Sequence, residues 1–67
     1  MANADKLLAE IVEAVTVAFV MNMRRETVSN MLIPMYKNRA RKEGKSEHEI
    51  DKISAGLEAV IDTIYAG

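Results

Sequence analysis

His48 is the one histidine among 67 residues, so it is the first place to look for general acid–base chemistry. It stands between Glu47 and Glu49, two residues after Ser46. If Ser46 caps a helix, His48 falls in the first turn. There the backbone N–H groups disfavour a cation, and solvent reaches the ring. A catalytic or pH-sensing role needs a partner group that this neighbourhood does not supply. His48 therefore reads as a solvated first-turn residue.

The carboxylates come in two spaced pairs, Glu10 with Glu13 and Glu58 with Asp62. Each pair lies one helical turn apart. Helical bundles can hold two metal ions with such residues, but that motif adds a Glu-x-x-His step. Neither pair has one. The chain has no cysteine, which excludes disulfides and thiolate metal sites. Its three glycines stand isolated at positions 44, 56 and 67, so no glycine-rich phosphate loop is present. Ser29, Ser46 and Ser54 have no recognisable base beside them. We expect no catalytic, cofactor or metal site and no small-molecule substrate, and therefore a protein that is not an enzyme.

Charge is more informative. Residues 24–45 hold seven basic side chains against Glu26 and Glu43. Residues 46–67 hold five acids against Lys52. Arg24, Arg25, Lys37, Arg41 and Lys42 thus form a candidate nucleic-acid contact, a basic patch for a phosphate backbone. The competing reading is structural. Cations near one helix C-terminus and acids near the next N-terminus complement both dipoles. The run Arg41 to Ile50, with Gly44 and Ser46 ahead of an acidic helix start, resembles the beginning of a helix-turn-helix motif. No second turn and recognition helix follow it, because the apolar stripe from Ile50 to Ile64 is unbroken.

These residues must be positioned by helices. Ser46 and Glu49 form a capping box, and Ile50, Ile53, Leu57, Val60 and Ile64 then recur at helical spacing. Gly56 weakens that helix, and its missing side chain would let another helix approach closely. Gly44 suits the left-handed residue that ends the preceding helix. The short link to Ser46 makes an antiparallel helical hairpin. Upstream, Ser29 or Asn30 is a good N-cap for the second helix, which puts Pro34 in the first turn, where a missing N–H costs nothing. The first helix starts near Asn3 or Asp5. At 100° per residue, Leu7, Leu8, Ile11, Val12, Val15, Ala18 and Phe19 share one broad face. Val17, Val20 and Met21 fall on the other side. If the helix continues, Val28, Leu32 and Met35 line up with them.

The expected fold is all-α: three helices at about 4–28, 30–43 and 46–65, in a single domain. A long N-terminal helix is followed by a C-terminal helical hairpin. Either the first helix breaks within Asn22–Thr27 or one long helix changes partners there. A break is favoured, because Asn22 and Glu26 would otherwise interrupt the first stripe. A strand over Val15–Met21 has nothing to pair with.

A lone three-helix chain can cover one apolar face of its first helix but not two. A core this small contributes only about 3–5 kcal/mol by itself. With no disulfide or metal available, association is the remaining device. We expect a homodimeric bundle or a complex with another protein. The interface would comprise Val17, Val20, Met21, Val28, Met31, Leu32 and Met35, and the role would be interaction or regulation. Methionine suits such a surface, because its flexible thioether adapts to irregular partners. Glu10 and Glu13 interrupt the N-terminal apolar stretch, which argues against a signal peptide. The uncharged run from Ala14 to Met23 is too short to span a bilayer. A cytoplasmic location without membrane contact is expected.

Overall fold

The computed structural model describes residues 3–66, with side chains from residue 6 to residue 66. It is all-helical: α1 spans Asn3–Val20, α2 Arg25–Lys42 and α3 Glu47–Ala66, and no strand occurs among the described residues. The side chains of Asn3 and Asp5, the candidate caps of α1, lie outside the described residues.

Each helix boundary has a local cause. After α1, Asn22 adopts φ 64°, the left-handed region. The Met23 N–H donates to the Ala18 carbonyl and the Asn22 N–H to the Phe19 carbonyl, both at 3.0 Å. That pair of bonds is a Schellman cap, with Asn22 in the place that glycine usually takes. It recurs after α2. Gly44 has φ 81°, Lys45 donates to Ala40 at 3.1 Å, and Gly44 donates to Arg41 at 3.0 Å. The capping box of α3 is present as a reciprocal pair. Ser46 Oγ accepts from the Glu49 N–H, and the Glu49 carboxylate accepts from the Ser46 N–H, each at 3.2 Å.

Two expected boundaries need correction. The first helix ends at Val20 rather than near residue 28, and the second begins at Arg25 rather than at 30. The break at Asn22 releases the chain before Ser29 and Asn30, so neither serves as a cap. Arg24 occupies that position, with no side-chain capping bond. Pro34 therefore sits in the middle of α2 rather than in its first turn. It faces solvent, where the Asn30 carbonyl that loses its donor can bond water.

The helices run up, down and up. Tyr36 and Arg39 of α2 meet Glu10 in the first half of α1. Arg25, at the start of α2, meets Asp62 near the end of α3. The rings of Phe19 and Tyr65, at the ends of α1 and α3, pack edge to face with centroids 5.0 Å apart. Tyr65 also donates to the Met23 carbonyl at 2.8 Å, which fastens the α1–α2 turn to the end of α3.

The core takes Ile11, Val15 and Ala18 from α1, Val28, Leu32 and Tyr36 from α2, and Leu57 and Ile61 from α3. α1 leans mainly on α3 and touches α2 least. Leu8, Val12 and Phe19, expected on the covered face of α1, are exposed instead. A helix resting on one main neighbour buries a narrower stripe than the broad face they share with Val15. Gly56 is also corrected: a Cβ built there would meet nothing within 4 Å, so no helix of the protomer approaches it closely.

Candidate functional site

The expected interface divides in two. Val28 and Leu32 are buried at 0% and 7% exposure and belong to the core. A continuous first helix would align them with Val17 and Met21. The break at Asn22 resets that phase and turns them inward. Val17, Val20, Met21, Met31 and Met35 remain on the surface, each between 49% and 70% exposed.

Helical register and two polar contacts show where these side chains lie. Val17 is seven residues after Glu10, nearly the same direction on α1. Glu10 reaches across to α2, so this line of α1 borders α2. Met35 precedes Arg39 by four residues, and Arg39 reaches across to α1. Val17 on α1 thus flanks the same seam as Met31 and Met35 on α2, with Val20 on its outer α1 edge and Met21 in the turn that follows α1.

The seam is tied at one point. The Glu10 carboxylate accepts from Arg39 through both oxygens, one bond being 3.2 Å, and from the Tyr36 hydroxyl at 3.0 Å. The guanidinium of Arg39, then the hydroxyl of Tyr36, hold the Glu10 carboxyl below its ordinary pKa. Burial and the bond to Glu10 push the Tyr36 hydroxyl up. The same carboxylate raises Arg39, whose guanidinium also lies 5.6 Å from the Tyr36 ring centre. Glu10 is thereby committed to a structural tether and separated in role from Glu13. A cavity of about 430 Å³ lies beside it, with Lys6 and Lys45 at its rim and Leu7 and Ile53 among its walls.

The remaining candidates for chemistry are dispersed. His48 is exposed. Asp62 is paired with Arg25, and Glu58 lines the same cavity beside them. Among the described residues, no group of three His, Cys, Asp or Glu side chains could hold a metal ion.

The basic residues of segment 24–45 point in several directions. Arg25 is bound to Asp62, and Arg41 lies 3.8 Å from Glu47. Lys37 shares the outer face of α2 with Arg41, one turn away. Arg24 is the N-cap residue of α2, in extended backbone, so its side chain does not follow the register of the helix. Met35 precedes Lys42 by seven residues and so lies on nearly the same line of α2. Neither Arg24 nor Lys42 forms an ion pair among the described residues.

Sequence reasoning missed a second apolar surface. Val12 lines a cavity of about 270 Å³ with Ala59, Val60, Thr63 and Ile64 of α3, and Leu8 is exposed one turn before Val12. The signal was present in the width of the first stripe, which is too broad for one neighbouring helix to cover. No described helix is long and apolar enough to cross a membrane. Compared with protein-family models, with curated proteins and with solved structures, the chain finds no match in any of the three.

Proposed function

We propose that this chain is a small helical interaction protein, regulatory rather than enzymatic and cytoplasmic. It works by docking a helix on the surface formed by Val17, Val20, Met21, Met31 and Met35. One observation carries this reading. Five large apolar side chains on and beside the α1–α2 seam are exposed and stand outside the protomer's core. Apolar patches of that kind on a small chain mark interaction sites. A homodimeric bundle is one form of the assembly, and a complex with another protein is the other.

Met31→Glu tests the site. Met31 is half-exposed, so the charge can be solvated in the free protomer. Helicity and thermal unfolding of a dilute sample should barely change. Association, followed by light scattering for self-assembly and by affinity capture for a foreign partner, should weaken at least tenfold. Unchanged association would show that the interface lies elsewhere, with the Leu8–Val12 side the next place to examine.

A further inference from the structure

Sulfur is distributed unevenly over the two apolar surfaces. The chain has no cysteine and five methionines. Among the described residues, Met21, Met31 and Met35 are 69%, 49% and 49% exposed, and all three stand on or beside the α1–α2 seam. Met23 is the exception: it is half-buried and packs against the core. The exposed apolar side chains on the α1–α3 side, Leu8, Val12 and Phe19, carry no sulfur. One apolar surface is therefore open to oxidation at sulfur, and the other is inert to it.

We propose that Met21, Met31 and Met35 are oxidation sites at which hydrogen peroxide switches docking on the α1–α2 surface off. The thioether sulfur attacks one peroxide oxygen. The S–O bond forms, the O–O bond breaks, and the second oxygen leaves as water once it has taken up a proton. Sulfur is oxidised by two electrons to the sulfoxide, and the peroxide is reduced. On an exposed side chain the new S–O group stays hydrated, so the free protomer loses little. Under a docked helix it would give up that water to an apolar surface without gaining a partner. Met31 and Met35 are four residues apart on α2, so two sulfoxides would stand side by side. This rests on the surface being an interaction site and adds its regulation.

Leucine at the same three positions would offer a similar apolar volume and no reactive sulfur. The competing reason for methionine is its pliancy against irregular partners. Leucine variants separate the two reasons. The change is also reversible. Sulfoxide reductases return the thioether, with two thiols oxidised to a disulfide and the oxygen released as water. This chain has no cysteine, so that reductant is external. Peroxide acts on the undocked protomer, because a docked helix covers the sulfurs.

The test exposes the whole chain to dilute hydrogen peroxide and follows each methionine by peptide mass spectrometry. Met21, Met31 and Met35 should be oxidised several-fold faster than Met23. The thermal unfolding curve of a dilute sample should stay nearly in place. Docking is read as self-association by light scattering and as binding of a designed helical peptide with a leucine stripe. It should weaken roughly tenfold or more on oxidation and return after treatment with methionine sulfoxide reductases. A Met21→Leu, Met31→Leu, Met35→Leu triple variant, checked for native helicity, should dock as the parent does and ignore peroxide.

Docking that is indifferent to peroxide but weakened by Met31→Glu would overturn the switch and leave the interaction surface standing. Oxidation of Met23 as fast as the other three, or loss of the fold on oxidation, would overturn it in favour of damage to an opened chain. A triple leucine variant that still loses docking in peroxide would place the sensitivity at another methionine and overturn the assignment. A triple variant that no longer docks before peroxide is added would overturn it in favour of shape adaptation. Absence of both self-association and peptide binding in either redox state would remove the surface, and the switch with it.

Discussion

Replacing Gly56 by alanine should stabilise the protein, and the size of the gain follows from its surroundings. Gly56 lies in the interior of α3, nine residues after Glu47 and ten before Ala66. Glycine costs about 1 kcal/mol relative to alanine at such a site, chiefly because the unfolded chain is freer. A new Cβ would meet nothing within 4 Å, so no steric term opposes the gain. For a domain of this size, 1 kcal/mol corresponds to a rise of roughly 4–8 °C in the melting temperature. Thermal unfolding followed by circular dichroism, with urea titration beside it, measures both quantities. Unchanged or reduced stability in a dilute sample would contradict the open surroundings of Gly56. A protomer that gains stability while its assembly weakens would place a partner helix over Gly56.

Leu57, the next residue, should behave in the opposite way. It is fully buried, and Leu57→Ala should cost about 2–5 kcal/mol, comparable with the whole stability of a domain this small. Partial or complete loss of the helical signal at room temperature is the expected result, and a cooperative native-like melt would show that the core is misassigned. Pro34→Ala restores a donor to the middle of α2. Proline in a helix interior is about 3 kcal/mol less favourable than alanine, the stiffer unfolded chain included, so a gain of up to about 3 kcal/mol is expected. A lower urea midpoint would mean that α2 uses the irregularity. The Glu10 tether predicts a pH dependence. The folded protein lowers the Glu10 carboxyl below its ordinary value of 4.5, so this stabilisation is present above 4.5 and is lost as pH falls through the depressed folded value. Glu10→Gln should therefore be less stable than the parent near neutrality and approach it in acid. A stability difference that stays constant down to the acid transition would show that Glu10 contributes through contacts alone.

What could be read from the sequence depended on how many local signals agreed. In α3 the Ser46–Glu49 box, the isoleucine–leucine stripe and Gly44 all specify one helix start, and the structure has all three. The α1–α2 break, favoured within Asn22–Thr27, is present, but its limits were harder to place. Its left-handed residue is Asn22, which is also common in solvated helices and N-caps, whereas glycine would have announced the turn. Ser29 and Asn30 offered a better-looking cap than Arg24, and Pro34 looked natural one turn later. Shifting the start of α2 by five residues turned Pro34 into an interior residue. Continuing α1 through Asn22 put Val28 and Leu32 in phase with Val17, whereas the break turns both inward. Val17, Val20, Met21, Met31 and Met35 all stand on the surface; Val17 and Val20 lie away from the core stripe of α1 in either phasing, whereas Met35, seven residues after Val28, faces nearly the same way as that core residue.

Those five side chains are the part of the sequence that the protomer does not explain. Its core closes with Ile11, Val15, Val28, Leu32, Leu57 and Ile61 at its centre, none of them from the exposed set. Valine is a poorer helix former than alanine or lysine, since its branched Cβ crowds the preceding turn. Val17 and Val20 therefore weaken α1 slightly while exposing apolar surface to water. A lone protomer would be at least as stable with polar straight-chain residues at both positions. The same holds for Met31 and Met35, where lysine or glutamine would serve the helix equally well. Apolar residues that neither fill the core nor favour their own helix lower the free energy only when something covers them. Fold and interaction are consequently separable in this chain. Substitutions at Val17, Val20, Met31 and Met35 should alter binding while leaving the unfolding curve nearly in place. Substitutions at Val28 and Leu32, one turn away, should do the reverse and act on binding only through loss of the fold.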